Sequence, residues 1–144
     1  MERKIEDVLI EIGIPANISG FDFIKEAVLI IDKDGMDIRW TGVYAQIGKK
    51  HGKSATSVER AIRHAFIRAR NKSQYHDIVN HYIGFASTNN TSSISLLYRT
   101  IKREMEEEET NKNLKYSDEH PVISEARVKE IVRETIREML GGIA

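Results

Sequence analysis

The stretch that decides the fold spans residues 44–62 and reads YAQIGKKHGKSATSVERAI. Two helices that meet at a large angle need a small residue at their contact and a turn residue that tolerates positive φ. Gly48 suits the contact, and Gly52, four residues later, suits the turn. Three apolar residues have the spacing of buried anchors: Ile47, Val58 and Ile62. This arrangement predicts a helix-turn-helix, in which the second helix enters the major groove of DNA by its amino end.

A projection of that second helix at 3.6 residues per turn separates an apolar face from a polar one. The apolar face is predicted to pack on the protein and contains Ala55, Val58, Ile62, Ala65, Phe66 and Ala69. The polar face and its flanks contain the candidate DNA-binding side chains Thr56, Ser57, Glu59, Arg60, Arg63 and His64. For His64, packing or a phosphate contact is favoured over base reading. The turn is flanked by Lys49, Lys50 and Lys53, at the place where phosphate contacts normally lie.

Glu59 and Arg60 have the chemistry to read bases. Arginine binds guanine bidentately through O6 and N7, and glutamate accepts a hydrogen bond from the N4 amino group of cytosine. A lone acidic side chain in a basic helix repels phosphate. The presence of Glu59 therefore favours a helix that reads bases over one that only neutralises phosphate charge. Thr56 and Glu59 also have the spacing of a capping box, so Glu59 is open to base contact, to capping, or to both.

The charge is unevenly distributed although its total is zero, with 22 Lys and Arg against 22 Asp and Glu. Residues 41–75 contain eight basic side chains and one acidic one, for a net charge of +7. Residues 1–40 contain five basic and nine acidic side chains, for a net charge of −4. Such a basic segment is typical of a nucleic-acid surface, and a solvated helix face is the alternative on charge alone.

Several classes of protein are disfavoured by the composition. The sequence has no cysteine, which excludes disulfides, a cysteine nucleophile and thiolate metal sites. His76 and His81 lack zinc-ligand spacing, and we find no phosphate-binding loop, serine elbow or paired-carboxylate motif. We therefore expect no enzymatic activity, cofactor or metal. The longest apolar run covers only residues 27–31 and the amino end does not resemble a signal peptide, so we expect a cytoplasmic protein without membrane contact.

Helical spacing dominates the chain and predicts an all-α fold. Residues 1–105 are expected to form a bundle of about six helices that contains the helix-turn-helix DNA-binding domain. The predicted helices cover residues 5–12, 21–31, 40–51, 54–72 and 74–83, with a sixth that begins at Ser92 or Ser93. Residues 106–121 are acidic and polar and are predicted to be a linker.

Residues 122–144 are predicted to form a C-terminal amphipathic helix. Ser124 is its expected cap, as Ser73 is for the fifth helix, and Gly141 is expected to follow its end. One face is apolar and contains Val128, Ile131, Val132, Ile136, Met139 and Leu140. Such a helix can dock on its own bundle, pair with a second subunit in a homodimer, or bind another protein. Docking or self-association is favoured.

Two stretches of the sequence resemble a known family. Residues 11–27 (EIGIPANISGFDFIKEA) resemble the opening of the DNA-binding effector domain of stage 0 sporulation protein A, and residues 58–65 (VERAIRHA) resemble its recognition helix. The resemblance spans residues 5–105 and loosens after Phe85. It implies an all-helical fold and sequence-specific binding of double-stranded DNA, with Glu59 and Arg60 at base-contacting positions.

The sequence departs from that family in two respects. Family proteins carry an amino-terminal receiver domain, whereas this sequence begins a few residues before the effector domain, so we expect no phosphorylation switch. Ser57 stands where the family has a base-reading arginine, which leaves the target sequence open. The leading hypothesis is a transcription regulator. The alternative is a DNA-binding accessory or architectural protein of a plasmid or phage that recruits a partner through its terminal helix.

Overall fold

The computed structural model describes residues 1–72, 74–85, 89–119 and 125–141. All regular secondary structure in these ranges is helical, which confirms the predicted all-α fold. The helices are α1 (Glu2–Glu11), α2 (Ser19–Asp34), α3 (Trp40–His51), α4 (Ala55–Lys72), α5 (His76–Tyr82), α6 (Asn90–Glu119) and α7 (Glu125–Gly141). The chain divides into two compact units, Met1–Met105 and Glu106–Ala144.

The core of the first unit is built from the apolar faces of its helices. Helix α4 packs against α2, α3 and α5, and α2 also packs against α1 and α3. The largest fully buried side chains include Ile5, Leu9, Ile24, Ile31, Ile47, Ile62, Phe66, Ile94 and Leu97. Each such side chain contributes about 1.5–3 kcal/mol on burial, so this core is what fixes α4 in place. The apolar face predicted for α4 is confirmed, because its buried residues are Val58, Ile62, Ala65, Phe66 and Ala69.

Helix α6 is longer than the sequence predicted. It begins at Asn90, before Ser92, because the Asn89 side-chain oxygen accepts a hydrogen bond from the backbone N–H of Thr91 at 2.8 Å. It then continues to Glu119, so residues 106–119 are helical where a linker was predicted. Neither Gly nor Pro interrupts this range, and extending a helix that is already formed costs far less than starting one.

Helix α7 has an exposed apolar face in the structure. The exposed large apolar side chains on it are Val132, Ile136, Met139 and Leu140, with exposed fractions of 51–67%. Gly141, predicted to follow the helix, is its last residue. The predicted caps Ser73 and Ser124 lie outside the described residues, as do the side chains of Val128 and Ile131.

A carboxylate on α6 connects three helices of the first unit. The Glu104 side chain accepts a hydrogen bond from the Tyr82 hydroxyl at 2.8 Å and lies 2.9 Å from His81 Nε2. Lys4 of α1 reaches the same carboxylate at 3.5 Å. Burial opposes the ionisation of Glu104, but the hydrogen bonds with His81 and Tyr82 and the charge of Lys4 outweigh it and lower its pKa. Ionised Glu104 therefore stabilises the packing of α1 and α5 on α6.

Candidate nucleic-acid interface

The turn between α3 and α4 has the geometry that its two glycines predicted. Gly52 ends α3 in the left-handed region, with φ of 68°. The backbone N–H of Lys53 then donates to the carbonyl of Gly48 at 2.7 Å, which closes the turn. A Cβ at Gly48 would overlap the carbonyl oxygen of Lys53. Both predicted roles, the small contact and the positive-φ turn, are confirmed.

Ser54 caps the amino end of α4. Its hydroxyl oxygen accepts a hydrogen bond from the backbone N–H of Ser57 at 3.1 Å and donates to the Ser57 hydroxyl at 2.9 Å. Helix α4 begins at Ala55, so Thr56 already lies within the first turn and cannot be the cap. The capping-box interpretation of Thr56 and Glu59 is therefore wrong, because a cap must precede the helix. The Glu59 carboxylate is therefore not used in capping α4.

The candidate residues of α4 lie on the side opposite its buried face. Thr56, Ser57, Arg60, Arg63 and His64 are all exposed. Among the described residues, Arg60 and His64 form no ion pair and no side-chain hydrogen bond. Their side chains are thus free to meet a ligand that approaches α4 from solvent.

Glu59 lies at the edge of this face, with 44% of its side chain exposed. Its carboxylate is 3.4 Å from the Arg63 guanidinium, one helical turn later. Its backbone carbonyl accepts a hydrogen bond from the Asn90 side chain at 2.8 Å, which ties this part of α4 to the start of α6. A long and half-exposed ion pair contributes little, so the Glu59 carboxylate remains available to a hydrogen-bond donor outside the protein.

The lysines beside the turn differ in their surroundings. Lys49 and Lys53 are exposed and form no ion pair with any residue that the structure describes. Lys50, in contrast, donates to the carboxylate of Glu26 on α2 at 2.6 Å. His51 Nε2 lies 2.8 Å from the other oxygen of the same carboxylate. Burial opposes the ionisation of Glu26, but the hydrogen bonds with Lys50 and His51 outweigh it and lower its pKa.

Glu26 was not among the residues singled out from the sequence. It lies 24 positions before Lys50, and only the packing of α2 against α3 brings the two together. No local pattern could have indicated the pair. Its consequence is that Lys49 and Lys53 are better placed than Lys50 to contact phosphate, because their charges are not already balanced.

One basic side chain of α4 supports the fold. Arg70 donates through Nε to the carbonyl of Gly84 at 2.9 Å and through Nη2 to the hydroxyl of Ser93 at 2.6 Å. Burial lowers its pKa. The net charge of residues 41–75 therefore overstates the number of cations that this surface offers to a ligand.

Within the described ranges, no group of three or more His, Cys, Asp or Glu side chains could hold a metal ion. No helix in the same ranges is long and apolar enough to span a membrane. The candidate site is the exposed face of α4 together with the turn before it.

The family model described as sporulation initiation factor Spo0A C terminal matches residues 5–105. The chain belongs to this family. The match covers most of α1, all of α2 to α5 and the first half of α6, so it includes the helix-turn-helix and the whole exposed face of α4. The first unit of this Spo0A C-terminal family member is accordingly a DNA-binding domain of the type found in regulators of sporulation. Residues 106–144 lie outside the match.

Proposed function

We propose that this chain is a sequence-specific transcription regulator that reads double-stranded DNA in the major groove with α4. One observation carries the proposal. The turn and the core hold α4 so that Arg60 lies exposed in its amino-terminal half, with no partner among the described residues. A major groove about 12 Å wide admits one α-helix, and the side chains on such a face reach the base edges.

The contacts fall into two classes. Arg60 binds guanine O6 and N7, and Glu59 accepts a hydrogen bond from a cytosine amino group. Lys49 and Lys53 bind phosphates, which positions the domain without selecting a sequence. Ser57 contributes little to base reading, because its hydroxyl is short and already bonded to Ser54.

The test is the salt dependence of binding to duplex DNA. Titrations of a labelled duplex, followed by fluorescence anisotropy over a series of salt concentrations, give the slope of log K against log salt. We expect roughly −0.9 for each phosphate contact, hence a slope of roughly −2 or steeper if Lys49 and Lys53 both contribute. A single strand of the same length is the control and should bind more weakly. A slope near zero on duplex DNA overturns the proposal.

A second candidate function rests on α7. Its exposed face of Val132, Ile136, Met139 and Leu140 favours burial in an interface, since apolar helix faces are rarely left in water. On this alternative the chain is a DNA-binding accessory protein whose tail pairs with a second copy or recruits a partner. Removal of residues 106–144 should then abolish self-association or partner binding, measured by analytical ultracentrifugation, while DNA binding by the first unit persists. Unchanged association after the truncation excludes it.

A further inference from the structure

A cleft of about 280 Å³ borders α4 on the flank opposite Glu59. It lies where the start of α2 crosses α4. Its lining residues are Ile18, Ser19, Gly20, Ala61, His64 and Arg68. Only His64 among them was a candidate from the sequence, so the cleft adds a region that the pattern of α4 alone did not indicate.

The cleft presents hydrogen-bond donors and positive charge. Arg68, His64 and Ser19 are exposed, and the described residues that line the cleft include no acidic side chain. Arg68 forms no ion pair or hydrogen bond within the described part of the chain. An exposed guanidinium without a partner is the group best suited to bind phosphate, because it offers several N–H groups in a fixed plane.

The other flank of α4 is different. There Arg63 faces the Glu59 carboxylate at 3.4 Å, and Arg70 is committed to the carbonyl of Gly84. The cations of that flank therefore lie beside a carboxylate or are held by the fold, whereas Arg68 has neither kind of partner among the described residues. The two flanks of α4 thus differ in their readiness to accept an anion.

The backbone fixes the position of the cleft relative to α4. A Cβ at Gly20 would lie 2.6 Å from the carbonyl oxygen of Ala61, so α2 and α4 touch through their main chains at this point. Arg68 lies eight residues after Arg60, about 12 Å along the helix axis and about 80° around it. When a helix occupies the major groove, one sugar-phosphate strand runs along each of its flanks. Arg68 is placed to meet the strand on this flank.

We propose that this cleft binds one backbone phosphate of the DNA, with Arg68 as the principal ligand and His64 and Ser19 as supporting donors. The proposal rests on the proposed function, because it requires α4 to lie in the major groove. Lys49 and Lys53 beside the turn and Arg68 beside the cleft then hold the duplex at separate points of its backbone. Arg68 then raises the affinity for DNA and does not affect which sequence is bound.

The test compares Arg68→Ala with wild type in the full chain, on a selected duplex and on an unrelated one. We expect binding to weaken by about tenfold on both duplexes, as for the loss of one charge-assisted contact. The slope of log K against log salt should become shallower by about 0.9. Arg68→Lys, which keeps the charge, should retain most of the slope. Circular dichroism should show unchanged folding, since the side chain is exposed.

The matched control is Arg103→Ala, which removes the same charge from an exposed arginine of α6. Arg103 is next to Lys102, which pairs with Asp32 near the opposite end of α2, and its loss should leave binding nearly unchanged. If Arg68→Ala behaves like Arg103→Ala while wild type binds duplex DNA with a steep salt slope, the cleft proposal fails and the proposed function stands. If Arg68→Ala weakens one duplex and not the other, Arg68 reads a base and the phosphate assignment is wrong. If wild type shows no salt-dependent binding, both proposals fail.

Discussion

Gly48→Ala is expected to lower the free energy of unfolding by about 2 kcal/mol. The added methyl group would overlap the carbonyl oxygen of Lys53, with the carbonyl carbons of Lys53 and Ser54 at 3.2 and 3.3 Å. All three atoms belong to the backbone, so no change of rotamer relieves the overlap, and overpacking of this kind costs about 1–3 kcal/mol. Weakening the 2.7 Å hydrogen bond from Lys53 to Gly48 adds about 1 kcal/mol to this cost. The higher helix propensity of alanine stabilises the variant by about the same amount, so these two contributions cancel.

Gly42→Ala provides the matched control on the same helix, α3. A Cβ at Gly42 meets no atom within 4 Å, so this variant gains helix propensity alone and should be about 0.5–1 kcal/mol more stable than wild type. Urea unfolding followed by circular dichroism measures both variants, and thermal unfolding should show Gly48→Ala melting about 10 °C below wild type. If Gly48→Ala is as stable as Gly42→Ala, the close approach at the turn is not a constraint and our explanation of the helix-turn-helix is refuted.

Further predictions concern the cap, the ion-pair network and the tail. Ser54→Ala should cost about 0.5–2 kcal/mol in urea unfolding, whereas Thr56→Ala should change stability by less than about 0.5 kcal/mol, since only Ser54 caps α4. The folded pKa of Glu104 is lowered, so its contribution to stability is present above the ordinary glutamate pKa and is lost as pH falls through the folded value. Unfolding of Glu104→Gln should therefore depend less on pH in that acidic range than wild type. A chain truncated after Met105 should keep the helical circular dichroism signal of residues 1–105 and bind duplex DNA; loss of that signal would mean that the first unit needs residues 106–144.

The helix-turn-helix could be predicted from the sequence because its rules are local. Gly52 is needed for a positive φ, Gly48 for a close contact four residues earlier, and the spacing of Val58 and Ile62 marks the buried face of α4. Each of these requirements acts within a few residues of the chain. Local rules misled at the start of α4, where the spacing of Thr56 and Glu59 suggested a capping box, whereas the structure shows that Ser54 is the cap.

Features that depend on tertiary packing could not be predicted. Lys50 meets Glu26 only because α2 lies beside α3, and Arg70 meets Gly84 only because the chain returns to α4 after α5. In both pairs a cation is bound within the protein. The charge of residues 41–75 had predicted that these cations would be available to a ligand. The helix over residues 106–119 was missed for another reason, since a lack of apolar residues indicates a lack of packing but does not stop a helix that is already formed.

The most direct measurement is a selection of bound sequences from a pool of random duplexes, performed in parallel with wild type and Arg60→Ala. Wild type should enrich one motif. Arg60→Ala should bind that motif about 1–3 kcal/mol more weakly and lose its preference at one base pair, because the guanidinium that reads guanine is gone. Lys53→Ala should enrich the wild-type motif with lower affinity throughout, because a phosphate contact carries no sequence information. Enrichment of the same motif by Arg60→Ala with undiminished preference at every position would contradict base reading by α4.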